Sequence, residues 1–238
     1  MLNIVYALRT CLFYAVYVPT IITFSVLGCT LGLLIPYRPR QTFITTANAI
    51  VLWWLKLSCG IKVNVEGLNN IPNQPFVALS KHQSGWETFY LQRTLRPVST
   101  ILKKELLKVP FFGWGLAMTR PIAIDRSNPK QALRDVLSQG KQRLAEGNNI
   151  LIFPEGTRID YGAVGNYSRS GTSLAINAGA AVLPIAHNAG LCWPAHRFIK
   201  QPGTIHVIIG KPIDSTGRKS KELTEEVKDW IEGTIAKL

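Results

Sequence analysis

Four short stretches of this 238-residue sequence carry side chains suited to acid–base or anion chemistry. In KHQSGWETF, His82 and Glu87 stand five residues apart, directly after the apolar run PFVALS. Five residues turn about 500° on a helix, and on a strand they leave the two side chains on opposite faces. A contact therefore needs His82 in a turn and Glu87 inside a following helix, with Gly85 giving the turn its freedom. So placed, the carboxylate fixes the imidazole tautomer and makes the other ring nitrogen a better general base. Spacing alone favours a plainer arrangement, a capping histidine beside an unrelated surface glutamate.

The second stretch is FPEGTR, Phe153 to Arg158, after the run NNILI. Pro154 and Gly156 shape a turn, Thr157 and Arg158 offer donors to an anion, and the planar fork of arginine suits phosphate. A third, PIAIDR, sets Asp125 and Arg126 after another apolar run, and a fourth, LKKELLKVPFFGWG, holds Lys103 and Lys104. Each of the last two alone is an ordinary charge at a strand end. No metal site is expected: His82 has no second histidine nearby, and Cys11, Cys29, Cys59 and Cys192 form no CxxC pair.

In this order and spacing, H-x4-E, KKEL with PFFG, IDR, FPEGTR and VLPIA (Val182 to Ala186) closely resemble the 1-acylglycerol-3-phosphate acyltransferase family. The resemblance covers roughly residues 60 to 215. It implies transfer of a fatty acyl group from acyl-CoA or acyl carrier protein to the sn-2 hydroxyl of 1-acylglycerol 3-phosphate (lysophosphatidic acid), giving phosphatidic acid. It casts His82 as general base and Glu87 as its orienting partner. Arg158, then Lys103 and Arg126, would meet the acceptor phosphate, while Glu155, Gly156 and Thr157 would shape the loop and bind the glycerol part. The substrate alcohol attacks directly in this reading, and the sequence accordingly has no G-x-S-x-G elbow. Neither a metal nor a redox cofactor is implied.

Three positions depart from the family's pattern. Glu87 stands where aspartate is usual, Ile159 where Ser or Thr follows the arginine, and Ala123 where an aromatic is frequent. None removes a group the chemistry needs. Other acceptors remain open within the superfamily: a different lysophospholipid, lyso-ornithine lipid or glycerol 3-phosphate. From other classes, the rivals are a membrane-bound thioesterase that uses water and a non-enzymatic lipid-binding scaffold.

Such residues need strand ends to hold them. Short apolar runs predict strands at Lys62–Glu66, Phe76–Ser80, Val98–Leu102, Ile122–Ile124, Ile150–Phe153, Val182–Ala186 and Thr204–Ile209. Asn128-Pro129 reads as an N-cap with proline at the first helical position, opening a helix that carries Ala132, Leu133, Val136, Leu137, Gly140 and Leu144 on one face. Further helices are predicted over Gly171 to Ala178 and Ser220 to Leu238, the latter with Leu223, Val227, Trp230, Ile231 and Ile235 as its apolar stripe. Alternating strands and helices give an α/β fold with a mixed, largely parallel sheet flanked by helices.

The charge balance identifies the partner. Lys and Arg exceed Asp and Glu by 27 to 14, a net +13, which calls for either nucleic acid or anionic membrane. Residues 1–65 hold Arg9, Arg38, Arg40, Lys56 and Lys62 but no carboxylate, and they are also the most apolar part of the chain. A nucleic-acid arm would be basic and polar, so membrane phospholipid is the partner and nucleic acid is not.

Thr10 to Pro36 contains no charged residue, enough for the about 20 residues that cross a hydrocarbon core. Phe43 to Ile61, with Trp53, Trp54 and Lys56, suits an interfacial position, and PYRPRQ between them reads as a turn offering two arginines to lipid phosphates. A cleaved signal peptide fits poorly, because the apolar region is too long. The organisation expected is a two-helix membrane hairpin over 1–60, spanning or lying in one leaflet, followed by an acyltransferase domain over 61–238. The hairpin looks like that of bacterial members, which implies the inner membrane with the site on its cytoplasmic face.

Overall fold

The aliphatic runs form seven strands: β1 (Ile61–Glu66), β2 (Val77–Ser80), β3 (Val98–Lys103), β4 (Ile122–Ile124), β5 (Asn149–Ile152), β6 (Val182–His187) and β7 (Gly203–Ile209). The structure, a computed structural model, describes residues 2–238. One sheet runs in the order β1-β7-β6-β2-β5-β3-β4, parallel at every pairing except β6 with β7. Strands β2 and β5, at its centre, are buried at every position, as continuous apolar strands covered on both faces must be. This is the mixed, largely parallel sheet expected.

Successive side chains of β2 serve opposite faces. Ala78 joins one apolar cluster, with Phe76, Trp86 and Leu183, while Val77 and Leu79 join the other, with Ile150, Leu174 and Val227. The second cluster is closed by α5 (Pro129–Ala145), α6 (Ser170–Ala178) and α8 (Ser220–Ile235). Helix α5 begins as predicted: Pro129 is its first residue, and the Asn128 side chain accepts from the Gln131 N–H. Leu133 departs from expectation, being exposed at 42% and facing a cavity rather than the core.

The first cluster is covered by α1 (Leu2–Cys29), α2 (Tyr37–Cys59) and α3 (Trp86–Thr94), with α4 (Phe112–Ala117) and α7 (Ala189–Cys192) as short additions. PYRPRQ is not the expected turn. Helix α2 starts at Tyr37, and the chain reverses earlier, through a 3-10 turn at Leu31–Leu34. Pro39 lies in the first helical turn, where a missing N–H leaves no bond unmade. Gly60 ends α2 in the left-handed conformation, φ 71°, and passes the chain directly into β1.

Helix α1 is 28 residues long and apolar enough by length and composition to cross a membrane. Yet it is fastened to the α/β body at both ends. Thr10 Oγ1 accepts from the Lys200 N–H at 3.0 Å, and the fully buried Phe13 ring meets Trp193 edge-on at 5.3 Å between centroids. Farther along, Ser25 lies against Gly115, and Gly28 against Ile44 and Met118. Thr10 to Gly28 spans about 27 Å at 1.5 Å per residue. Phe13, Val51, Leu55 and Cys59 belong to the same cluster as the sheet, so the helical pair and the α/β part share one core.

Phe13→Ala should therefore destabilise the whole protein, by about 3–5 kcal/mol. A thermal melt that leaves the transition unmoved would show that α1 is not docked.

Candidate active site

Parallel pairing brings the C-terminal ends of β2, β3, β4, β5 and β6 to one edge of the sheet, the usual place for sites in such folds. Each of the chemical stretches leaves one of these ends. His82 follows β2, Lys103 ends β3, Arg126 follows β4, the FPEGTR loop follows β5, and His187 ends β6.

His82 lies in the turn between β2 and α3, and Glu87 is the second residue of α3. Glu87 Oε1 is 2.8 Å from His82 Nδ1 and also accepts from the N–H groups of Gln83 (3.0 Å) and Ser84 (2.9 Å). Burial of Glu87 pushes its carboxyl up, but the His82 hydrogen bond, the nearby imidazoles and the Ser84 N–H outweigh it and hold it below the ordinary carboxylate value. An ionised partner keeps the proton on Nδ1, which leaves Nε2 as the acceptor. The ring is fixed on its flat side by Phe153, stacked at 4.2 Å between centroids. His82 keeps 14% of its side chain exposed, while Glu87 has none.

The turn is clamped to the FPEGTR loop at two points. Glu155 Oε2 accepts from the His82 N–H at 2.8 Å, and the Ile159 N–H donates to the His82 carbonyl at 2.8 Å. Behind the clamp, the buried Lys81 Nζ pairs with Glu155 Oε1 at 2.8 Å and Glu232 Oε1 of α8 at 2.7 Å, and donates to the Ala163 carbonyl at 3.0 Å. Tyr167 Oη donates to the same Glu232 oxygen at 2.8 Å. Burial raises the Glu155 carboxyl above its ordinary value, with Lys81 only partly countering. His187 is fully buried; its Nε2–H donates to the Lys81 carbonyl at 2.9 Å while Nδ1 accepts from the Ala189 N–H. Burial lowers its pKa and so favours the neutral ring.

The anion-seeking residues take different positions. His82, Lys103, Arg126, Gly156 and Arg158 all line one cavity of about 530 Å³, whose remaining wall includes apolar side chains of α1, α2 and α5 such as Ile21, Ile44 and Leu133. Its size is ordinary for a small-molecule site. Arg126 Nη1 donates to the Gly156 carbonyl, so part of that guanidinium is occupied in holding the loop. Gly156 has φ 70°, a conformation that favours glycine. Glu155 and Thr157 are not brought to the cavity. The Glu155 carboxylate points inward to Lys81 and the His82 N–H and so shapes the loop, as expected of it. Thr157 is exposed outside the lining.

A histidine–carboxylate pair thus stands at the strand ends and opens on an apolar cavity with cations among its lining. The sequence profile of the family described as Acyltransferase matches residues 62–188. A 1-acyl-sn-glycerol-3-phosphate acyltransferase of Pseudomonas aeruginosa is 46% identical over 241 residues, covering all of this chain and 94% of that one. The enzyme of the same name from Saccharomyces cerevisiae is 30% identical across 77% of this chain and 63% of its own. The crystal structure of the 1-acyl-sn-glycerophosphate acyltransferase PlsC from Thermotoga maritima superposes over 100% of this chain and 97% of its own, with TM-score 0.84 at 24% identity, and so shares the fold. The chain belongs to the 1-acyl-sn-glycerol-3-phosphate acyltransferase family.

Sequence reasoning missed Lys81 and Glu232. Lys81 adjoins His82 and had a signal in that position alone. Glu232 had none, being one more carboxylate on the polar face of an amphipathic helix. Lys81→Met should cost about 3–5 kcal/mol, since it leaves Glu155 and Glu232 facing each other unneutralised; a melt within error of wild type would contradict the cluster.

The depressed Glu87 carboxyl contributes stability that is complete above the ordinary carboxylate range and lost as pH falls through its folded value. The stability gap between wild type and Glu87→Gln should therefore be largest near neutrality and shrink below about pH 4, as denaturant melts at each pH would show.

Proposed function

We propose that this protein acylates the sn-2 hydroxyl of lysophosphatidic acid, using an acyl thioester of CoA or acyl carrier protein, and releases phosphatidic acid. One observation carries the reading: the free Nε2 of a carboxylate-held histidine opens on a cavity that is apolar over much of its wall and cationic at Lys103 and Arg158. Nε2 takes the proton of the acceptor hydroxyl as its oxygen attacks the thioester carbonyl. The tetrahedral adduct collapses, the carbon–sulfur bond breaks, and the imidazolium returns the proton to the departing sulfur. Glu87 stabilises the imidazolium between the two transfers. Arg158 and Lys103 hold the acceptor phosphate, and Arg126 supports the loop that presents Arg158. Holding both substrates in line supplies a large part of the acceleration.

The contacts of α1 support one membrane arrangement over another. A helix crossing a hydrocarbon core about 30 Å thick would leave the α/β body behind, whereas α1 touches that body from Thr10 to Gly28. Its outward face and the turn after it expose Leu8, Leu12, Leu31, Leu33 and Leu34, with Trp53 beside them on α2. These features support a helix lying in one leaflet, its outer face in lipid and its inner face on the enzyme. In a bacterial cell the site then faces the cytoplasm, where acyl thioesters are made.

Purified protein offered lysophosphatidic acid, other lysophospholipids, lyso-ornithine lipid and glycerol 3-phosphate with one acyl-CoA should prefer lysophosphatidic acid. No preference would remove the acceptor assignment, and thioester consumption without acceptor would favour a thioesterase. His82→Ala should lower kcat by about 10²–10⁴-fold with the acceptor that wild type prefers. Spin labels at Leu8, Val18 and Val26 should report one similar depth in lipid vesicles. A maximum at Val18 would indicate a spanning helix instead.

A further inference from the structure

The proposed reaction leaves one buried cation unused. Lys200, in the segment between α7 and β7, is 1% exposed. Its Nζ donates to Tyr14 Oη and to the Phe198 carbonyl, both at 2.7 Å, and lies over the rings of Tyr14 (4.5 Å to the centroid) and Trp193 (4.9 Å). Among the described residues, no ion pair includes Lys200. An ammonium taken out of water without a counter-charge is unfavourable. Its burial shows in a pKa lowered to about 8.

Lys200 lines a second cavity, about 230 Å³, together with Arg158, Arg197, Tyr14, Tyr17 and Trp193. Among the described residues, three cations and two phenols line it, and no carboxylate does. This cavity shares Arg158, Thr88, Phe89 and Phe112 with the larger one, so the two adjoin there. Lys103 and Arg126 belong to the larger cavity alone, and Lys200 and Arg197 to the smaller. Arginine forks and an ammonium with a spare donor suit the oxygens of a phosphate.

We propose that Lys200, Arg197 and Arg158 form a second anion subsite, which receives a phosphate group of one of the two substrates. The inference rests on the acyl-transfer reading for its substrates, because both reactants carry phosphate: a monoester on the acceptor and the phosphates of the pantetheine carrier on the donor. Two anions held at once need two sets of cations. Arg158 lies where the sets meet, and the smaller cavity completes the second.

The test uses the full-length protein in detergent, with Arg197→Ala and Lys200→Met. Steady-state kinetics are measured with each substrate varied while the other saturates. Arg197→Ala should raise KM for one substrate at least fivefold, with the larger part of the loss in KM rather than kcat. A rise for the lysolipid assigns the subsite to the acceptor phosphate, and a rise for acyl-CoA assigns it to the donor. Lys200→Met should give the same pattern more strongly; if it fails to fold, because Lys200 also ties α1 to the body, Arg197→Ala decides alone. Both KM values within twofold of wild type in Arg197→Ala would overturn the subsite. If wild type transfers acyl groups to no acceptor, the functional reading fails separately, and binding of inorganic pyrophosphate then judges the subsite. Weaker binding to Arg197→Ala than to wild type would retain it, and equal binding would remove it.

Discussion

The Lys81–Glu155 contact is the point on which the active edge of this protein depends. A lysine without solvent exposure must be neutralised, and here one carboxylate comes from the neighbouring loop and the other from the last helix. Glu155 then has its second oxygen free for the backbone N–H of His82. His82 is thus placed by the same charge that holds the loop carrying Arg158. The turn, the loop and α8 are three separate parts of the chain, and a single ammonium brings them into register.

Much of the fold was legible because its physics is local. Strand limits differ from those predicted by a residue or so, since buried β-branched runs announce themselves, and Asn128-Pro129 starts α5 where capping chemistry requires. The His82–Glu87 arrangement was legible as a condition, turn first and helix second. The turn between the first two helices was misplaced because two prolines look like an interruption, although a helix accepts proline in its first turn. The partner of Glu155 was not legible, for a different reason. A carboxylate in a loop looks the same in sequence whether it faces substrate or a buried lysine far away in the chain. Glu232, 151 residues from Lys81, had no chance of being read.

The electrostatics divide the chain's excess positive charge into distinct environments. Lys81 is buried and neutralised, Lys200 is buried without a counter-charge, and Arg158 is exposed where two cavities meet. Formal charge says nothing about this division. It follows from which side chains the sheet edge and α1 enclose.

Helix α1 has a consequence for how the molecule can be taken apart. Ile21, Phe24 and Ser25 form part of the wall of the larger cavity, while Phe13 fills the core. Trimming the amino terminus to obtain a smaller, less apolar fragment would open the larger cavity along one side and empty a place in the packing. The segment proposed to seat the protein in lipid is also part of the cavity wall. Changes on its inner face alter the shape of that cavity, and changes on its outer face alter only the exposed apolar surface. The two faces can vary separately, but neither can be discarded.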